Sequence, residues 1–402
     1  MRILHTSDWH LGRSFGARPL LDDQHAFLGW LQRLVEKERV ELVVVAGDVF
    51  DRSIPPAEAV EVLREHLLAL HALGTQVVAI AGNHDHFVRL SAYDGLTDSS
   101  RVWVRGGHGR AGEVLEIAGS DGPLAVVPVP FLDPLLARSL VEAPQGSEEA
   151  ADEGGVGEDP DASLRPTHES VLRAALDRAR AGIAGRRPLA IAHAWVQGGE
   201  QSESERMLSV GGAGQVDVSL FDGFSYAALG HLHRPQAAGG RPNVRYSGSP
   251  LAYSFSEEHA KEVVLLDMDT AGVVVATQSI PVEVGRRVAT IIGTFGELLE
   301  RPEHEGVRDR WIRAVLTDRE LVLDAKSRHQ QRFPHVVEVT YAAADGGGVL
   351  PDGASRDAVE KKAPFDLAVE FWGAIEGEEP DEPIRDLLRG ALEDERLARE
   401  QS

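Results

Sequence analysis

With 402 residues, 43% of them hydrophobic and 26% charged, the chain has the make-up of a soluble globular protein of two or three domains. A Cys count of 0 excludes disulfides and thiolate metal sites, and no apolar run of 18 residues marks a transmembrane helix. The formal net charge of -23 argues against a free-standing nucleic-acid binder, since duplex affinity rests on Lys and Arg neutralising phosphates.

The charge is concentrated. Ser139–Leu164 holds eight Asp/Glu and no Lys or Arg, and Asp366–Ser402 holds twelve Asp/Glu against four Arg, so each stretch carries -8 and the rest of the chain only -7.

The chain enters a strand at once. Arg2–Thr6 is a short apolar run, with none of the basic-then-apolar layout of a signal peptide ahead of it, which predicts a cytoplasmic location. Asp22–Arg39 places Phe27, Trp30, Leu31, Leu34 and Val35 at helical spacing. Glu41–Ala46 is β-branched and strand-like, Pro55-Pro56 opens a helix running to about Leu73, and Gln76–Ala81 is a third strand. Strand–helix–strand repetition of this kind predicts a layered α/β fold. Later strands are predicted at Leu124–Val129, Pro188–His193, Tyr226–Leu229, Val244–Ser247 and Glu262–Asp267. Glu142–Asp161 is Gly- and acid-rich and reads as a solvated surface insertion.

After Pro281 the pattern restarts as a small β-α-β-α-β module: strands at Arg287–Gly293, Trp311–Thr317 and His335–Ala342, helices at Phe295–Glu300 and Asp324–Phe333. A Gly- and Asp-rich linker then leads to two amphipathic helices, Phe365–Ile375 and Pro383–Arg399.

Five short motifs share one placement, each directly after an apolar strand. They are Asp8-Trp9-His10, Gly47-Asp48, Gly82-Asn83-His84-Asp85, Ala192-His193 and Gly230-His231-Leu232-His233. Ligands bind at the carboxyl ends of strands in α/β sheets, so Asp8, His10, Asp48, Asn83, His193, His231 and His233 are predicted to meet at one edge. A lone Asp-x-His or Gly-Asp is weak evidence, since Gly-Asp at a strand end is usually a turn. Gly-Asn-His-Asp is the most specific piece, and chance is a poor account of all five in this order. Carboxylate, amide and imidazole donors without sulfur suit two divalent ions, Mn²⁺ first and Fe²⁺, Zn²⁺ or Mg²⁺ as alternatives. Asp48, lying between the flanking sets, is the candidate bridge.

These motifs resemble those of the calcineurin-like metallophosphoesterases through about Val282. The resemblance implies a β-sandwich flanked by helices. It also implies that Asp8, His10, Asp48 and His233 hold one ion, and that Asp48, Asn83, His193 and His231 hold the other. His84 would contact the scissile phosphate and protonate the leaving oxygen, with Asp85 orienting its ring.

A closer resemblance is to the SbcD family of bacterial nuclease subunits. It is carried by His5–Gly12, Gly47–Asp51, Gly82–Asp85 and Tyr246–Phe255. Relatives outside bacteria have a histidine three residues after the bridging aspartate, where this chain has Asp51.

The SbcD resemblance implies hydrolysis of DNA phosphodiesters by water activated between two metal ions, with double-strand exonuclease and single-strand or hairpin endonuclease activity. It also implies a separate SbcC-type coiled-coil ATPase partner and a homodimer within a heterotetramer. The expected domains are residues 1–282 as nuclease, 283–343 as a capping domain, 344–364 as linker and 365–402 as a tail that docks the ATPase. The alternative is a general metallophosphatase or cyclic-nucleotide phosphodiesterase, which shares the metal core and needs no cap or tail.

Overall fold

The computed structural model describes residues 1–141, 166–205 and 214–342, and a few scattered positions from 365 to 387. The acidic stretch 142–161, the linker and most of the paired helices predicted at the C-terminus lie outside the described residues.

The chain divides into two compact units. The first comprises Met1–Thr290 with Glu305–Arg313 and Phe333–Glu338, and it contains two six-stranded sheets. In chain order its strands are β1 (Arg2–Thr6), β2 (Leu42–Val45), β3 (Gln76–Ile80), β4 (Val102–Arg105), β5 (Leu115–Ile117) and β6 (Leu124–Val129). They continue with β7 (Pro188–His193), β8 (Tyr226–Gly230), β9 (Gln236–Ala238), β10 (Arg241–Tyr246), β11 (Glu262–Met268) and β12 (Val274–Pro281).

One sheet has the order β12-β11-β1-β2-β3-β4 and the other β9-β10-β8-β7-β6-β5. In the first, β1 through β4 run parallel, with β11 and β12 added antiparallel. In the second, β10, β8, β7 and β6 run parallel and the outer strands are antiparallel.

Side-chain alternation explains the layering. Leu42 and Val44 of β2 enter a core with Ile3, Val78, Ile80, Val126, Ile191 and Tyr226, drawn from both sheets. Their neighbours Val43 and Val45 join Phe27, Leu31 and Leu34 of helix α1 (Leu21–Glu38), and Leu70 of helix α2 (Ala57–Ala72). On the other side, Ala125, Val127, Ala190 and Leu229 pack with Val171, Leu172, Leu176 and Ile183 of α4 (His168–Ile183), which follows the short α3 (Phe87–Ser91). The result is the expected α/β class: two sheets face to face with helices outside both.

Residues 288–341 carry a second β-α-β-α-β run: β13 (Val288–Gly293), α5 (Phe295–Glu300), β14 (Trp311–Leu316), α6 (Ala325–Gln330) and β15 (Val336–Tyr341). Its sheet has the order β13-β14-β15, and a Thr294–Glu297 capping box starts α5 by satisfying two otherwise orphaned N–H groups. No helix among the described residues is long and apolar enough to cross a membrane.

Candidate metal centre

Every residue predicted for the site sits at the carboxyl end of a parallel strand. The loops after β1, β2 and β3 of one sheet carry Asp8, His10, Asp48, Asn83, His84 and Asp85; His193 ends β7, and His231 and His233 follow β8 in the other sheet. Asp8, His10, Asp48, His84, His193, His231 and His233 are buried. The backbone is forced to hold them there. Asp8, His10, Asp48 and His231 all have positive φ, at 54°, 46°, 49° and 108°, a region that costs a residue with a side chain about 1–3 kcal/mol. Two glycines make the approach possible. A Cβ at Gly82 would lie 2.1 Å from the Asp48 carboxylate, and one at Gly47, whose φ is +93°, would lie 2.3 Å from the His193 ring.

Asp48 is the hub. Its Oδ1 accepts the His84 backbone N–H at 2.8 Å, and its Oδ2 lies 3.5 Å from His10 Nε2 and 3.6 Å from His193 Nε2. On one side of it His10 Nε2 and His233 Nε2 face each other at 3.1 Å, with Asp8 in the same cluster of potential donors. On the other side Asn83 Oδ1 lies 2.8 Å from His193 Nε2 and 3.1 Å from His231 Nδ1. Asp8 Oδ1 accepts the His231 backbone N–H at 3.0 Å and so ties the two sheets together at the site.

The residues fit a divalent cation pair. Asp8 Oδ2 and His231 Nε2 are buried and have no hydrogen-bond partner, which costs about 1–3 kcal/mol for each such group unless a cation satisfies it. Burial pushes His10 and His231 well below the ordinary histidine value, so both imidazoles are neutral and offer lone pairs near pH 7. Burial would raise Asp48, but the imidazoles of His193 and His84 outweigh it and hold its pKa below the usual value. Burial, opposed by His193 and His233, raises Asp8 to about 6, a cost that a bound cation would reverse.

Asp85 sits differently from its expected place behind the His84 ring. Its carboxylate accepts backbone N–H bonds from Val49 at 3.0 Å, Phe50 at 2.9 Å and Gly82 at 2.9 Å, so it clamps the loops after β2 and β3. The group at His84 Nδ1 is the Asp51 carbonyl, 2.8 Å away.

Sequence reasoning missed the shell behind His233. Ser204 Oγ lies 2.6 Å from His233 Nδ1 and 2.5 Å from Glu257 Oε1, and Glu205 Oε1 accepts the His233 N–H at 2.7 Å. Glu257 is buried and paired with Lys261. Burial pushes Glu257 up, but the Lys261 ammonium holds it well below the usual carboxylate range. Only Glu257 had a signal within reach, two residues beyond the Tyr246–Phe255 motif. Ser204 stands in a Ser/Glu-rich loop with no pattern to set it apart.

Residues 1–128 match the calcineurin-like phosphoesterase family. Full-length comparison finds the SbcD chain of the Bacillus subtilis nuclease SbcCD at 38% identity over 272 residues, 66% of this chain and 66% of that protein. The SbcD chains of Staphylococcus epidermidis and Escherichia coli match at 27% and 29% identity, over 86% and 75% of this chain and 86% and 74% of theirs. The sandwich and its crowded strand ends are those of a calcineurin-like phosphoesterase, a hydrolase of phosphodiester bonds. Within that class the chain belongs to the SbcD family of nuclease subunits.

Proposed function

We propose that the chain is the metal-dependent DNA nuclease component of an ATP-dependent SbcCD-type complex, with double-strand exonuclease and single-strand or hairpin endonuclease activity. The observation that carries this reading is the pair of donor clusters flanking Asp48, with Asp8 Oδ2 and His231 Nε2 buried and unpartnered. Asp8, His10, Asp48 and His233 hold one divalent cation; Asp48, Asn83, His193 and His231 hold the other. Manganese suits this set of imidazole and oxygen donors better than magnesium, which prefers oxygen and keeps its waters. When bound, the two cations polarise the phosphate ester and acidify a water.

The remaining work falls to the chain. His84 Nδ1–H donates to the Asp51 carbonyl, which fixes the ring with Nε2 toward the leaving oxygen; the doubly protonated ring gives its Nε2 proton to that oxygen and is left neutral. Asp85 keeps the loops after β2 and β3 in register for this. Arg13, 3.2 Å from the Asp51 carboxylate and stacked 4.9 Å from the Tyr253 ring centroid, is a cation beside the site in an otherwise acidic chain.

The net charge of -23 makes this protein a poor duplex binder by itself, so the assembly with an SbcC-type ATPase grips the DNA, and residues 365–402 dock to that partner. We also propose that the chain forms a homodimer within that assembly. We place the complex in the cytoplasm.

The test is truncation near Ala354, followed by two assays. The shortened protein keeps metal-dependent cleavage of a small phosphodiester and loses both capture of the ATPase and ATP-dependent processing of duplex ends. Full capture by the truncated chain would show that the tail is not the docking element. Cleavage of small monoesters with no activity on DNA, even with the ATPase present, would favour a general phosphatase.

A further inference from the structure

A hydrogen-bond chain stands behind His233. Ser204 has one hydroxyl proton and two acceptors within reach of it, His233 Nδ1 at 2.6 Å and Glu257 Oε1 at 2.5 Å. An ionised carboxylate has no proton to give, so the Ser204 hydroxyl donates to Glu257. Its oxygen then accepts, and His233 Nδ1 must be the donor. Ser202 does not compete, because its own hydroxyl lies 2.8 Å from Glu205 Oε2 and donates there. The chain therefore puts a proton on His233 Nδ1 and leaves Nε2, the atom that faces His10, as the nitrogen available to ligate a cation.

Glu257 is built to stay ionised in a dry place. Its side chain is 0% exposed and is compensated by the Lys261 ammonium, the Tyr253 N–H at 3.2 Å and the Ser254 hydroxyl at 3.1 Å. Lys261 also reaches the Ser249 hydroxyl at 2.8 Å and the His233 carbonyl at 3.2 Å, so one ammonium holds both the carboxylate and the backbone of the histidine it orients. The loop that brings Ser204 is pinned in turn. Arg13 donates to the Ser204 carbonyl at 3.2 Å, and the Ser256 hydroxyl accepts the Glu203 N–H at 3.0 Å.

We propose that Ser204, Glu257 and Lys261 form a positioning relay that selects the His233 tautomer and aims its Nε2 lone pair at a divalent cation. The inference rests on the two-cation reading and deepens it: Ser204 is a positioning residue for the cation that Asp8, His10 and His233 share with Asp48. Without the hydroxyl, His233 loses its fixed acceptor, and a ring with the proton on Nε2 would present a donor where a lone pair is needed.

The experiment measures Mn²⁺ binding to the full-length protein by calorimetry, and the His233 tautomer by ¹⁵N NMR on the metal-free protein. Three variants are compared with wild type: Ser204→Ala, Ser204→Thr and Asp48→Ala. Ser204→Ala is expected to weaken one of two Mn²⁺ sites by about 10–100-fold, the range for losing an outer partner of a metal ligand, and to shift His233 away from the Nδ1–H form. Ser204→Thr, which keeps the hydroxyl, restores both readouts. Wild-type affinity and an unchanged tautomer in Ser204→Ala would overturn the relay while leaving the two-cation reading intact. A wild-type chain that binds no Mn²⁺, or an Asp48→Ala variant that binds it equally well, would overturn both.

Discussion

His5 offers a quantitative test of how the two sheets are joined. It lies in β1 with 0% of its surface exposed, and its ring crosses to β8 of the opposite sheet. Nε2 is 3.1 Å from the Leu229 carbonyl and Nδ1 is 3.2 Å from the Tyr226 hydroxyl. A carbonyl only accepts, so Nε2 carries the proton and Nδ1 accepts from Tyr226. The ring is neutral, and burial lowers its pKa from 6.5 to about 3. The sign follows directly. Above pH 6.5 the ring is neutral folded or unfolded, and nothing is lost. Below it the unfolded chain takes up a proton that the folded chain refuses, so stability falls until the pH reaches about 3.

Each pH unit in that window is worth about 1.4 kcal/mol, so lowering the pH from 7 to 5 should cost about 2 kcal/mol through His5 alone. The perturbation is His5→Gln, which removes the titration. The assay is equilibrium urea unfolding of wild type and variant at pH 7 and pH 5, both in chelator. The variant is expected to be less stable at pH 7 but to lose about 2 kcal/mol less than wild type on acidification. Equal losses for the two proteins would refute the reasoning.

Other outcomes follow from the site and the fold. Asp48→Ala should abolish cleavage and lower the bound Mn²⁺ measured by mass spectrometry. His84→Gln should keep its metal and lose about 10²–10⁴-fold in turnover; loss of metal would mean that His84 is itself a ligand. Chelated protein should be inert and regain cleavage better with Mn²⁺ than with Mg²⁺; full activity with Mg²⁺ alone would count against the donor set as drawn. Arg105, 1% exposed, is paired with Asp98 at 2.8 Å and Glu113 at 3.1 Å. Arg105→Met should cost about 1–2 kcal/mol, since the carboxylates it leaves behind are 29% and 33% exposed and regain water, and an unchanged melting temperature would show that the triad does not stabilise the fold.

The parallel strands that carry the site were legible as apolar runs closed by a chemically distinctive residue: Leu42–Val45 leads to Asp48, and Pro188–His193 ends on its own histidine; β4, equally parallel, was missed because Val102–Arg105 is only four residues long and ends on an arginine. β12 was not, because Val274–Pro281 is an exposed edge strand with no apolar face to read. α4 carries Val171, Leu172, Ala175, Leu176 and Ile183 at helical spacing and could have been found by the same count that found α1. Asp85 was placed in the right loop, but sequence cannot tell a carboxylate that grips a ring from one that grips three backbone N–H groups. Ser204 was out of reach, since its role arises only when a loop folds across from Glu257, 53 residues away.

The division of the donors between two sheets has a consequence for how the chain comes to life on the ribosome. The first 128 residues, the stretch that matches the phosphoesterase family, contain Asp8, His10, Asp48, Asn83 and His84. The three histidines of the second sheet are synthesised later, and the last of them is residue 233 of 402. A nascent chain stalled before β7 is made holds only the donors of the first sheet, whose inner face still lacks β7 and β8. Its Mn²⁺ affinity should rise in one step when β8 docks beside β7, and stalled chains of increasing length would show where that step falls.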